Sequence, residues 1–567
     1  MFIIQKTELF YNRLLFRCVG SVGIPTPLEL SEIEAFECKT RRELEDMQTK
    51  YLHLVSKADN GKSGDLRHAR HVIQIKELQI DLCHSLAAPI RKLPVETLCA
   101  IFSLCIPPGG KRLTHRSAPF VLCLVSKAWR DIAMQDPTLW SRIHFEIPTT
   151  LPHRHPGGNR ENLRSLIRRA RSIPLTVSII QTDTNSTLRR FYELLHLLAE
   201  CTPLCRHLLI ESCFGWTSEL NSLTPGQLQR LESVSLRFRD PFLFGAKPHV
   251  FSSLPKLQTA ELYTRNPKNM LGISLPSQSL LKLSVILEFF YPPAITVDNL
   301  RKFVTRFPNL QRLQVVLYGK GFSHPGFLPE VVDSSKSLSP TTFRSLKEIT
   351  IRCGFRASLC TILGGFSFPA LESLDLDAVS VPVRVINRDL IFSNILRHDM
   401  SYLSRLTNLR LIRIDIEDDQ LRELLRFAPL LISLDIMRGR FKHHEFLVQD
   451  NDLLEFLTVS DDMEEEMLPP LVRLTYLRLY FYPEHAGLYA NMALSRHRWA
   501  VKQLDAKDQA SSPFYSATTA PRYPFRLHLK IQKADWEERQ GVINSLGGLA
   551  GRILHTERCH SFMRGKI

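Results

Sequence analysis

The sequence predicts an α/β chain: an N-terminal helical hairpin and a small all-α unit, followed by an irregular repeat solenoid whose curved parallel sheet is backed by outer helices. Three observations predict this. Up to about residue 140, apolar residues recur at the three-and-four spacing of helices. From about residue 172 a six-residue phrase, apolar at its first, fourth and sixth positions, keeps returning. Short amphipathic helical segments lie between the phrases.

A chain of 567 residues exceeds what one core usually supports, so more than one structural unit is expected. Its 44% apolar and 23% charged residues are ordinary for globular protein. Lys and Arg number 73 against 57 Asp and Glu, a surplus of 73 − 57 = +16 that permits acidic partners without demonstrating one. The 12 cysteines follow no framework and suit a reducing compartment; Cys201 and Cys205 lack the histidine pair of a zinc site. No run of 18 apolar residues occurs, so no membrane span is expected, and charges at Lys6, Glu8, Arg13 and Arg17 interrupt any signal peptide. Cytoplasm or nucleus, or both, is the default location.

Residues 1–26 are expected to be poorly ordered. Residues 27–87 read as a hairpin or short coiled coil packed within the chain. Its first stripe is Leu44, Met47, Tyr51 and Leu54, its second Val72, Ile75, Leu78 and Leu82, and two glycines break the run between them. In 88–145, APIRKLPVETLCAIFSLCI puts Pro94 and Glu96 at a helix start and Leu98, Ile101, Phe102 and Cys105 on one face. Residues Phe120–Ala133 read as a second helix with Leu122, Val125, Trp129 and Ile132 on one side, and DPTLW closes the unit. Residues 146–171 form a basic helical linker with Arg160, Arg164, Arg168 and Arg171 on a common face, read as solvated.

The succession LPVETLCAIF, LVSKAWRDIA and DPTLW resembles the F-box: a Leu-Pro-x-Glu helix, a Val-Ser-x-x-Trp-Arg helix and a closing Pro-x-Leu-Trp. It covers about 50 residues, in three parts in the right order. With the helices before it, the arrangement resembles the F-box proteins numerous in mushroom-forming fungi. It departs from the pattern at Pro107–Pro119, longer and less leucine-rich than the usual link. The resemblance implies docking on a Skp-type adaptor and, through it, a cullin–RING ligase. Leu93, Pro94, Glu96, Leu98, Ile101, Phe102, Val125 and Trp129 would carry that contact, Trp129 also holding the unit together.

The phrase then recurs over residues 172–535 as LESVSL, LQTAEL, LLKLSV, LQRLQV, LKEITI, LESLDL, LRLIRI, LISLDI, LEFLTV and LTYLRL, from Leu231 to Leu479. Six of the nine intervals between first positions fall within the 20–29 residues of leucine-rich repeats; intervals of 30, 36 and 38 need insertions. The asparagine usual after the strand is absent. Positions four and six point inward from a strand, and stacking supplies the core that no single phrase can. CRHLLI and PLTVSI read as earlier strands, RLHLKI as a closing one, 495–521 as a long loop and 536–567 as a tail.

Position five of each phrase would face the open side of the sheet, with position three beside it. That side is polar, with aromatics toward the C-terminal end, and Arg413, Asp435, Phe456, Tyr476 and Arg478 are its candidate target-binding residues. DDMEEE (Asp461–Glu466) reads as a solvated loop. No GxSxG, HExxH, Walker or dinucleotide motif occurs, so no catalytic residue, metal ligand or cofactor is expected. The function implied is target recognition for an SCF-type E3 ubiquitin ligase, with catalysis left to partners and the target an unnamed protein. The alternative is a non-ligase scaffold holding nucleic acid through its basic segment, ranked lower because aromatics do not interleave with those arginines.

Overall fold

The computed structural model describes residues 25–56, 63–106, 117–147, 157–181, 199, 201–212, 223–238, 249–265, 272–289, 297–319, 341–353, 366–378, 400–414, 416, 418–437, 451–460, 470–480, 485–509, 525–532, 540–546 and 549–559. The chain forms two units, Met1–Glu146 with Thr150–Ile179 and Ile147–Thr149 with Ile180–Ile567. The expectation for residues 1–24 and the DDMEEE segment lie outside the described residues.

In the first unit, α1 (Pro27–Ser56) starts on a reciprocal cap. The Glu29 amide donates to Thr26 Oγ1 at 3.3 Å, the Thr26 amide donates to Glu29 Oε2 at 2.8 Å, and Pro27 occupies the first helical position. Helix α2 (Ser63–Ala87) runs back antiparallel, since Lys76 meets Glu43 at 2.6 Å and His84 meets Glu37 at 2.9 Å. Ile33, Cys83 and Leu86 form the seam, with Phe36 and Leu82 packed against it. The expected stripe on α2 needs correcting: Ala69, Ile80, Cys83 and Leu86 turn inward, while Leu78 is 62% exposed. Cys83 and Leu86 are the residues of that face that meet Ile33 of α1.

Helix α3 (Val95–Leu104) follows Pro94. The expected single helix over Phe120–Ala133 is two, α4 (Ala118–Val125) and α5 (Lys127–Gln135). Ser126 breaks it: its backbone is extended (φ −157°, ψ 167°), and its side chain accepts from the Trp129 amide at 3.1 Å as the N-cap of α5. The break takes Val125 off the side shared by Leu122 and Trp129. Phe102, Leu122, Ala133, Leu139 and Trp140 form the buried centre. Trp140 Nε1 donates to the Ala133 carbonyl at 2.7 Å, and the Arg169 guanidinium lies 4.7 Å above the indole. Arg169 belongs to α6 (Gly157–Ala170), which lies between β1 (Arg142–Ile147) and β2 (Leu175–Gln181). Arg171 falls beyond α6 at φ 54°, so the four-arginine face is not one helical face to its end.

The second unit carries a strand at nearly every phrase. These are β3 (Cys205–Ser212), β4 (Ser233–Phe238), β5 (Thr259–Thr264), β6 (Lys282–Phe289), β7 (Arg312–Gly319), β8 (Glu348–Cys353), β9 (Ser373–Ala378), β10 (Asn408–Ile412), β11 (Ser433–Met437), β12 (Tyr476–Tyr480), β13 (Arg526–Gln532) and β14 (Leu554–Cys559). All pair parallel, each with the next in sequence. Buried triplets such as Leu231, Val234 and Leu236, or Leu371, Leu374 and Leu376, fill positions one, four and six. Position two ties neighbours before each strand begins: the amides of Gln258, Leu281 and Gln311 donate to the carbonyls of Glu232, Gln258 and Leu281 at 2.8–2.9 Å.

Two phrases need correcting. Leu409 pairs in register with Leu374 and Leu434, so the phrase is LTNLRL from Leu406, three residues earlier than LRLIRI. Leu406, Leu409 and Leu411 are buried and Ile412 is only half-buried. LEFLTV is no strand; Asn451–Leu457 is a helix, α9, and β11 pairs directly with β12. Leu453, Leu454 and Leu457 are buried at helical spacing, which competes with the strand pattern and wins.

The helices expected between phrases are α7 (Val297–Val304) and α8 (Asp418–Arg426). Beyond β12, α10 (Ala486–Gln509) occupies 495–509 of the expected loop; 510–521 lies outside the described residues. Free of proline and of glycine after Gly487, α10 buries Tyr489, Met492 and Ala493. Its buried Arg496 donates to the carbonyls of Leu457 (2.5 Å), Pro470 (2.7 Å) and Leu471 (3.2 Å), the last at φ 54°. Nor is the C-terminal segment a tail, because α11 (Gln540–Leu546) leads to β14, which pairs with β13.

Candidate functional site

Helix α4 reads APFVLCLV, apolar on every side. A helix apolar all round is normally buried all round. Here only Pro119 and Leu122 are buried, whereas Val121, Leu124 (75%) and Val125 (55%) are exposed on one side, at i, i+3 and i+4. Nearby in sequence, Ile90, Val95 and Leu104 (85%) are exposed too. A small helical unit thus turns several large apolar side chains to solvent, the mark of an interaction surface.

The sequence-selected residues divide. Pro94, Glu96 and Val125 are exposed, and Leu93 and Ile101 half-buried. Leu98 and Phe102 lie in the unit's own packing, and half-buried Trp129 tilts against Phe102 at 4.9 Å between ring centroids. Their contribution to a partner is therefore support of the surface rather than contact. Sequence reasoning passed over Val95, Leu104, Val121 and Leu124, although the unbroken apolar run of α4 carried the signal. Burial, reinforced by the Asp136 and Glu96 carboxylates, pushes the Cys99 thiol up, and burial does the same at Cys123 against Arg169 and Arg130. Both remain neutral thiols, unsuited to nucleophilic chemistry.

On the sheet, register brings Asp375, Arg410, Asp435 and Arg478 into one line across β9 to β12. Arg410 lies 3.1 Å from Asp375 and 3.2 Å from Asp435, and Arg478 3.6 Å from Asp435. Burial opposes the Arg410 charge, but Asp375 and Asp435 outweigh it and hold its pKa up. Burial pushes the Asp435 carboxyl up against the pull of Arg478 and Arg410. The Oδ1 atoms of Asp375 and Asp435 are buried acceptors without a hydrogen-bond partner.

The register correction makes Arg410 the position-five residue. Arg413 instead follows the strand at φ 57° and clasps Asp377 at 2.5 Å. Phe456 is half-buried on α9 and leaves the strip. Asp435, Tyr476 and Arg478 keep their expected places, with Tyr476 3.3 Å from His528. Arg410 and His528 are the functional candidates that the sequence reading missed; correct phasing of one phrase would have found Arg410. Among the described residues no group of three or more His, Cys, Asp or Glu is arranged to hold a metal, and no helix is long and apolar enough to cross a membrane.

The family described as F-box-like matches residues 90–146, the stretch that contains α3, α4, α5 and the Trp140 anchor. An F-box-like segment implies binding to a Skp-type adaptor within a cullin–RING ligase. No curated protein matches the chain.

Proposed function

We propose that the chain is the substrate-recognition subunit of an SCF-type E3 ubiquitin ligase, acting in cytoplasm or nucleus and without catalytic residues of its own. The observation that carries this reading is the exposed apolar side of α4 within the F-box-like segment. A Skp-type adaptor covers that side together with Leu93, Pro94 and Val95. The sheet is an irregular leucine-rich-repeat array, and a protein target is held on the strip running from Asp375 to Tyr476. Ubiquitin transfer is then promoted by proximity to the partner enzyme.

The test is co-purification with a recombinant Skp-type adaptor. Replacing Leu93 and Pro94 together by Ala removes apolar contact and the pre-organised helix start. Adaptor retention should fall at least tenfold, about 1.4 kcal/mol, while the sheet unit keeps its target. A wild-type chain that binds no such adaptor ends the proposal.

A further inference from the structure

A period of two puts Arg352 on the face of β8 opposite the buried Ile349 and Ile351, the open side of the sheet. Its neighbours in register are Val316 of β7 and Asp377 of β9. Neither serves it: Val316 is apolar and buried, and Asp377 is clasped by Arg413 at 2.5 Å. On strands β4 to β12 the other arginines each have a carboxylate. Arg237 has Glu261 at 2.8 Å, Arg312 has Glu348 at 2.8 Å, Arg410 has Asp375 at 3.1 Å and Arg478 has Asp435 at 3.6 Å. Arg352 makes no ion pair and no side-chain hydrogen bond among the described residues. Its Nε is buried without a partner while the residue as a whole is half-buried, so the stem is packed and the two terminal nitrogens stay open to solvent.

Arg352, Asp377 and Arg413 together leave one positive charge in surplus, on a chain whose own surplus is +16. An arginine fork takes the two oxygens of one carboxylate in parallel. A phosphate group, with nearly two charges, would exceed that surplus and face Asp377 on the next strand. We propose that Arg352 anchors an acidic side chain, Asp or Glu, of the protein target. This rests on the reading of the open side of the sheet as the target surface, and extends that surface from β9 back to β8. The pairs from Asp375 to Arg478 are already made and must be desolvated again under a partner. Arg352 breaks no pair when it meets a carboxylate, and its packed stem leaves little ordering to be done.

The experiment selects binders of the full chain from a displayed library of random peptides and measures the selected peptides by calorimetry. Peptides that are lost on Tyr476→Ala occupy the strip, and these should carry Asp or Glu at a shared position. Changing that acid to its amide should weaken binding to the wild-type chain about tenfold. The same change should leave binding to Arg352→Gln unaltered, a coupling that a merely structural arginine would not show. Arg352→Lys keeps the charge without the fork and should bind the acidic peptides with intermediate affinity. Strip peptides without a shared acid, or an amide change felt equally by wild type and Arg352→Gln, overturn the anchor and leave the target surface standing. Should no selected peptide depend on Tyr476, the target surface and the anchor fall together.

Discussion

The α4 face of the helical unit and the strand strip of the sheet unit handle unused surface in opposite ways. On α4 the surplus is apolar and exposed: Val121, Leu124 and Val125 lie open among the described residues, while Leu122 alone of that turn is buried. On the sheet the apolar residues at positions one, four and six are buried, and several charged side chains of the other face pair with one another across strands. Arg237 meets Glu261 at 2.8 Å, Arg312 meets Glu348 at 2.8 Å, and Arg410 spans Asp375 and Asp435. Exposed apolar area gains free energy from any complementary cover, at roughly 25 cal/mol per Å². Charges already paired gain little from a new partner, and each must be desolvated again. The helical face thus has free energy to gain from a cover, whereas the strip is already largely satisfied within the sheet.

The largest expected effect tests the register on which the strip rests. Leu409→Ala should destabilise the sheet unit by about 3–4 kcal/mol, whereas Ile412→Ala, half-buried, should cost about 1 kcal/mol. Urea unfolding that reversed the two would restore the LRLIRI phasing and return Arg413 to the strip.

Next comes the staple behind the strip. Burial pulls the Arg496 guanidinium down to about 9, so it remains charged at neutral pH. Arg496→Met leaves the carbonyls of Leu457, Pro470 and Leu471 without their donor and should lower stability by about 2–4 kcal/mol. Thermal unfolding unchanged from wild type would mean that these carbonyls find other donors.

The α4 face is tested by Leu124→Glu. Adaptor affinity, read by calorimetry, should fall about thirtyfold, near 2 kcal/mol, with no loss of unfolding temperature. Equal adaptor binding would remove α4 from the interface. Trp129→Ala should differ by lowering stability as well, because its ring rests on Phe102.

The smallest effect concerns Asp435. Its folded carboxyl titrates above the ordinary 3.8, so the native state holds its proton longer than the unfolded chain does. Stability from this group is therefore greatest below 3.8 and is lost as pH rises through the folded value. Asp435→Asn should gain on wild type as pH rises above 3.8, by less than about 1 kcal/mol given solvent screening. A relative loss over that range would show the ion pairs with Arg410 and Arg478 to outweigh the burial.

By itself the sequence determined the order of elements and most of the strand phrases. LPVETLCAIF, Ser126-x-x-Trp129 and DPTLW are local patterns, and capping and turn formation depend on neighbours in sequence. Likewise Leu-x-x-Leu-x-Leu fixes which side chains of a strand can be buried, whatever lies beside it. Only the tertiary structure decided which of two overlapping apolar triplets β10 uses, because Leu406, Leu409 and Ile412 sit at equal spacing and pairing with Leu374 and Leu434 selects among them. It also decided that LEFLTV is a helix, that α10 occupies part of an expected loop, and that β14 follows an expected end. The face of α2 and the outward side of α4 were settled in the same way. In each case the sequence offers two apolar faces or two conformations of similar local free energy, and the choice comes from what the rest of the chain leaves available to pack against.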